Sequence, residues 1–323
     1  MFAPFKIGIY HFVLEAGPRG LELPSFYGST FRGAFGMAFK RIVCSNPAQS
    51  SCHDCSLEGV CAYAYIFETA PAADAERLKS YDDVPRPFMF FPKLKDKTNY
   101  ASREELSIEL RLFGKANDYL TYFVLSFVQM GERGLGYQRK SFQLKKVCCY
   151  DPFTKIEQLV FDGEKNKVYK THHVLHGQRL WENVPREAEK VRIGLRTPLR
   201  IKENGKLVTT IDFHRLARSL LRRASSLMHF HHGTNLEINY TGLAEKSRSI
   251  KRVKDLTEWY EIERFSQRQG GKMKMGGVIG EVTYEGELGE FLPLLEFGRW
   301  AGVGKGSVFG LGQMDYVICE SKD

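Results

Sequence analysis

The chain has 323 residues, 43% hydrophobic and 26% charged, the balance of an ordinary globular protein long enough for two domains. Forty-seven lysines and arginines stand against thirty-eight acids, and the resulting +9 favours a polyanionic partner, nucleic acid first. Lys6 interrupts the opening apolar run and no stretch approaches the ~20 apolar residues that span a bilayer, so no membrane partner and a cytoplasmic location are expected.

Residues 5–14 alternate as a strand. Thr30–Val43 reads as a helix with Phe31, Phe35, Ala38, Phe39 and Ile42 on one side. Arg32, Gly33 and Gly36 lie off that stripe. Small residues beside an arginine would let an RNA backbone approach, and packing against a neighbouring helix explains the glycines equally well. Cys44, Cys52, Cys55 and Cys61 follow with the spacing C-x7-C-x2-C-x5-C. Seven cysteines are an odd number and four of them crowd into eighteen residues, which speaks against a disulfide framework and for a metal. Four thiolates can close a tetrahedral zinc shell, with the C-x2-C pair as its knuckle; a full shell leaves no open position for chemistry, so such a zinc is structural. The other reading is four reduced, partly buried cysteines in a loop insertion.

Beyond the cysteines, Ala62–Glu68 and Phe88–Phe91 are expected strands, the second bounded by prolines. A strand at Leu106–Phe113, a helix at Ala116–Met130 and a strand at Tyr137–Tyr150 complete a βαββαβ order. Residues 151–188, with His172, His173 and His176, read as an irregular connector. The second half repeats the order: strand Lys190–Thr197, helix Asp212–Phe230, strands near Asn235–Thr241, Glu258–Gln267 and Val278–Tyr284, helix Leu288–Ala301, and a last strand at Met314–Cys319. The expected fold class is α+β. Two tandem ferredoxin-like (RRM-like) domains span 1–150, with the cysteine-rich insertion at 44–61, and 189–323.

The helix at 212–230 is strongly amphipathic. Phe213, Leu216, Ala217, Leu220, Leu221, Ala224, Leu227 and Met228 fill one side, while His214, Arg215, Arg218, Arg222, Arg223, Ser225 and His229 occupy the other. Four arginines without an acid on one face suit a phosphate backbone; pairing with acids elsewhere in the fold is the alternative. A second basic stretch covers Lys246–Lys254. A third, on a hairpin, carries Arg264, Arg268, Lys272 and Lys274 and could line an RNA groove.

The densest signal is LGEFLPLLEFGRWAGVGKGSVFGLGQ, residues 288–313: a helix running into Gly302, Gly304, Gly306, Gly310 and Gly312 around Lys305, with a strand next. It is no Walker loop, since the helix precedes the glycines rather than following the lysine. Glycines permit positive φ and close approach, so the loop is expected to meet phosphate through its amides, with Lys305 as a point charge. The order helix, glycines, strand also occurs at 119–147, a pseudo-repeat within the chain.

GVGKGSVFGLG resembles the glycine-rich signature of the RAMP superfamily of CRISPR-associated proteins, which are built from ferredoxin-like domains. LPSFYGSTFRGAFG (residues 23–36) and ERFSQRQGGKMKMGGVIGEVTYEG (residues 263–286) resemble further blocks of the branch that processes CRISPR repeat RNA, the Cas-six-type endoribonucleases. The resemblance implies an endoribonuclease that binds and cuts precursor repeat RNA, retains guide RNA, and works with other CRISPR effector subunits. The runner-up is a non-catalytic scaffold that grips guide RNA inside such a complex.

Attack of a 2′-hydroxyl on its own phosphate requires a base, an acid and a cation, no metal, and leaves a 2′,3′-cyclic phosphate. Enzymes of this branch typically carry a histidine on or near the first helix, and often one just before the glycine loop. Here Phe31–Val43 contains none, and Ala301-Gly302 precedes the loop. His11, His214, His229, His231 and His232 remain, and His229, on the cationic face with Arg222, is the first candidate. No H-E-x-x-H, serine-protease arrangement or calcium loop is present.

Overall fold

The computed structural model describes residues 1–49, 51–69, 84–94, 97–136, 138–169, 173–266 and 271–319; residues 264–266 and 272–273 enter through their backbone alone. The chain forms two compact units. One comprises Phe5–His176 with His229–Thr234, the other Met1–Pro4, Gly177–Met228 and Asn235–Asp323.

In the first unit β1 (Lys6–Ala16) leads through α1 (Gly28–Val43), α2 (Ala62–Phe67), β2 (Phe88–Phe90), β3 (Glu105–Phe113) and α3 (Leu120–Arg133) to β4 (Phe142–Asp151). The antiparallel sheet runs β2-β3-β1-β4, the split-βαβ order, and three further strands extend it: β5 (Ile156–Asp162), β6 (Lys167–Val168) and β7 (Leu175–His176). The helix stripe read from the sequence is the core. Phe31, Phe35 and Phe39 of α1 are fully buried, and Phe35 stacks on Phe123 of α3 at 4.8 Å and meets Phe67, Phe88 and Phe90.

The second unit repeats the order with β8 (Lys190–Leu199), α4 (Phe213–His232), α5 (Tyr240–Ser249), β9 (Lys251–Tyr260), a hairpin of β10 (Glu263–Ser266) and β11 (Gly271–Lys274), then β12 (Gly277–Glu285), α6 (Leu292–Ala301) and β13 (Met314–Ile318). Its sheet runs β9-β12-β8-β13, so β8 and β12 are central and β9 and β13 are edges. The last turn of α4, from His229, clusters with the first unit. Tandem ferredoxin-like topology, as the sequence order implied, is the fold.

Three expectations are corrected. Residues 62–67 are helix, not strand: the A-Y-A-Y-I-F run mimics a period of two, yet Tyr63 stacks on Phe67 one turn later at 4.9 Å. No strand forms at 235–241 either, because Asn239 caps α5, its side-chain oxygen accepting the Gly242 N–H at 2.9 Å. The supposed connector is not irregular. Asp151 accepts the N–H groups of Phe153 and Thr154, Lys155 takes φ +58°, and this tight turn folds β5 back on β4, carrying the first unit on to His176 rather than 150. His172 lies outside the described residues.

Candidate nucleic-acid interface

The glycine loop is tied to its own unit. Gly302 N–H bonds Gly298 O, Val303 N–H bonds Gly312 O, Lys305 N–H bonds Arg200 O, Gly310 N–H bonds Ser307 O, and Gly312 N–H bonds Pro198 O, all at 2.8–3.1 Å. Thr197 Oγ1 donates to Gly310 O at 2.7 Å and accepts the Gln313 N–H. Most of the amides expected to face phosphate are thus spent inside the fold. The glycines are demanded by conformation and space: Gly302, Gly304, Gly306, Gly310 and Gly312 all have positive φ, and a Cβ on Gly304 would sit 2.7 Å from Arg200 O. Lys305 stays exposed as the expected point charge.

Arg200, which sequence patterning did not single out, joins this loop to the basic hairpin. Its carbonyl holds Lys305, and its guanidinium bonds the carbonyl of Gly276, two residues after Lys274. Glu261 at the other foot of the hairpin accepts the Gly276 N–H at 2.7 Å. Burial lowers the Arg200 pKa, and nearby Glu261 opposes the shift. Lys305, Arg200 and exposed Lys274 therefore belong to one region of the second unit. Lys272 lies on β11 with its side chain outside the description, and Arg268 lies outside the described residues altogether.

The arginine face of α4 is smaller than its pattern suggested. Arg215 is clamped by Glu203 and Asp212, both at 3.0 Å. Arg223 is turned inward, 6% exposed, with Nε donating to Ala301 O at 2.9 Å where α6 gives way to the glycine loop. Its Nη2 has no hydrogen-bond partner among the described residues, and burial pushes the guanidinium pKa down to about 10. Helical spacing placed it with the other arginines because nine apolar residues in twenty leave the boundary of the buried stripe undefined. Arg218 and Arg222 remain as exposed cations.

Arg32 lies with its guanidinium 5.2 Å from the Phe67 ring centre, and Gly36 is buried against the same ring, so in the first unit the packing alternative describes this helix better than an RNA contact. The four clustered cysteines are reduced and half-buried. Cys55 N–H bonds Cys52 O at 3.2 Å and Glu58 N–H bonds Cys55 O at 3.0 Å, a turn of knuckle type. Burial raises the Cys52 thiol pKa, Lys40 opposes it, and Cys61 and Cys44 add to it. Among the described residues no group of three or more metal-ligating side chains converges.

The histidines separate by environment. His231 is buried, with Nδ1 on the Tyr65 hydroxyl at 3.2 Å and Nε2 on Pro85 O at 2.7 Å; His232 stacks on Phe5 and its Nε2 accepts the Lys6 N–H. Both are structural. His229 is half-buried in the last turn of α4, edge-on to Phe230. His11 has its Nδ1 2.6 Å from Glu157 and its ring stacked on Tyr150 at 4.8 Å, an orientation supplied by β5, which no local spacing could have announced.

Two split-βαβ units, the second closed by a tightly bonded glycine loop beside a basic hairpin, define a RAMP-type protein. Residues 5–173 match the family AF_1859_N, described as an N-terminal domain, and residues 193–314 match the family described as the CRISPR-associated endoribonuclease Cas6. The chain belongs to the AF_1859_N family, whose model spans just over half of it, and the match over residues 193–314 supports a Cas6-type CRISPR RNA-processing protein. A protein of Archaeoglobus fulgidus described as uncharacterized is 28% identical over 298 residues, 90% of this chain and 91% of that one. Among solved structures, Thermus thermophilus Cas6 shares the fold with a TM-score of 0.54 at 14% identity, over 97% of this chain and 99% of that chain. A partial Cas6-RT-Cas1–Cas2 complex also gives 0.54, at 12% identity over 98% of this chain and 47% of the other. Among the described residues no helix is long and apolar enough to cross a membrane.

Proposed function

We propose that this protein cuts precursor CRISPR RNA at the repeat without a metal ion, leaves a 2′,3′-cyclic phosphate, and keeps hold of the guide RNA, acting in the cytoplasm beside other CRISPR effector subunits. The Cas6 family match over residues 193–314 supports repeat RNA as the substrate. The observation that carries the binding half is the junction at Arg200, which gathers Lys305 and the Lys274 hairpin into one cationic region. Phosphates along a strand would be met there and by Arg218 and Arg222. In the cleavage half, a side chain moves the protons: one group takes the proton of the 2′-hydroxyl, another returns one to the departing 5′-oxygen, and a cation steadies the phosphorane charge. His229 is assigned the acid or base role.

Incubating the purified chain with its cognate repeat RNA in EDTA tests this. Cleavage should persist, and the upstream product should resist periodate until its cyclic end is opened and the remaining phosphate is removed to leave a free 2′,3′-diol. A strict magnesium requirement discards the mechanism. The absence of a histidine from Phe31–Val43 favours the second reading, a guide-RNA scaffold; tight repeat binding with no cleavage would establish it.

Phosphate contacts have their own signature. Arg218→Ala and Arg222→Ala should each weaken binding to all RNAs alike and reduce the salt slope by roughly one counterion, measured by titration at several salt concentrations. An unchanged slope in both would make this face solvated surface.

A structural zinc at Cys44, Cys52, Cys55 and Cys61 is also proposed. The Cys52–Cys55 turn and the C-x7-C-x2-C-x5-C spacing support it. Closing the shell requires the 44–52 segment to fold around the ion, as metal binding and folding commonly couple. Elemental analysis should return about one zinc per chain, and Cys52→Ser should lose it; a folded protein without zinc removes the proposal.

A further inference from the structure

We propose that the free edge of β9 is a self-association surface, on which a second copy of this chain adds its own β9 antiparallel about a two-fold axis at Leu256. Among the described residues β9 pairs with β12 alone, and its residues are exposed along most of its length. Val253, Leu256 and Trp259 are 47%, 59% and 41% exposed, three large apolar side chains along one edge strand, Val253 at its bulge. The Leu256 carbonyl faces β12, since a Cβ on Gly280 would lie 2.4 Å from it. Peptide groups alternate along a strand, so the N–H and C=O of Asp255 and Thr257 point to the open side.

Placing a second β9 antiparallel with Leu256 opposite Leu256 sets Asp255 opposite Thr257, and their outward groups form a hydrogen-bonded pair on each side of the axis. The same register puts Lys254 opposite Glu258 twice. Residues 254, 256 and 258 share one face, so the two ion pairs flank the leucine contact. Neither Lys254 nor Glu258 has an ion-pair partner among the described residues, and about 13 Å of strand separates them within one copy. The regular register ends at Lys254, because the pairing of β9 with β12 skips Val253 in a bulge. The edge is thus complementary to itself in backbone, charge and apolar surface. In the single chain the Asp255 side chain occupies the Thr257 N–H at 3.0 Å, and pairing exchanges that bond for one to backbone.

A strand edge alone buries less than the ~1,200 Å² of a standard interface, so the dimer should be concentration-dependent. Sedimentation equilibrium of the full chain should show it at high micromolar concentration. Glu258→Lys opposes lysine to lysine, Lys254→Glu opposes acid to acid, and each alone should weaken association by about tenfold or more. An equimolar mixture of the two variants should associate as the unchanged chain does, because every pair is then opposite in sign. The altered side chains are solvent-facing, so melting should not change. A chain monomeric at all concentrations, or a dimer indifferent to both charge reversals, overturns the proposal. Loss of RNA binding in the variants of such a monomer would give the edge to RNA instead.

Discussion

Gly312→Ala should unfold the glycine loop before it tests any RNA contact. The residue has φ +71°, and a Cβ there would stand 1.8 Å from the carbonyl oxygen of Val303, whose own N–H is bonded to Gly312 O. Left-handed backbone and a clash with main chain that cannot rotate away together should cost about 3 kcal/mol or more. Calorimetry should place the loss as a melting temperature lower by roughly 5–10 °C. Gly205→Ala is the control: φ is +79° there too, with nothing within 4 Å of the added carbon, so only about 1–2 kcal/mol of conformational cost applies. Unchanged melting in Gly312→Ala together with lost RNA affinity would return the loop to the role its glycines first suggested, a backbone cradle for phosphate.

The second large effect concerns chemistry. His229→Ala should lower the single-turnover cleavage rate by roughly 10²-fold or more and leave RNA affinity within a few-fold, since proton transfer and not binding is removed. A 2′-deoxy nucleotide at the scissile position should abolish cutting by the unaltered chain, because the nucleophile itself is gone. His11→Ala serves as the comparison, its ring already oriented by Glu157. Full activity without His229 and a collapse without His11 would move the role to the first strand.

The amino-acid pattern is most legible where one periodicity dominates. Phe31, Phe35 and Phe39 recur at four-residue spacing and all three are core; strands β1, β3 and β8 alternate or run apolar and fall within a residue or two of their expected bounds. The pattern misleads where side chains bond to backbone locally. Asp151 and Asn239 each redirect the chain with a single oxygen, and no window of hydropathy registers that. The candidate interface divides in the same way. Exposed Arg218, Arg222 and Lys305 were legible as charges on a face, whereas the clamping of Arg215 by Glu203 and Asp212, the inward turn of Arg223 and the junction made by Arg200 are long-range outcomes. Catalytic convergence is of that kind too, which is why a spacing of seven residues from Arg222 named His229 and could not name its partners.

Each unit also borrows a piece of chain from the other half of the sequence. His229–Thr234 clusters with residues 5–176, and Met1–Pro4 with residues 177–323. The borrowed pieces are not ornaments: the His231 ring fills a buried place between Tyr65 and Pro85, while Phe2 stacks on Trp181 at 4.7 Å and on Phe297 at 5.2 Å. A gene fragment ending at His176 would therefore encode a unit with a hole in it, and its complement would lack the phenylalanine that its own tryptophan expects. Grafting or swapping these domains between relatives has to follow the exchanged segments rather than a single cut in the reading frame.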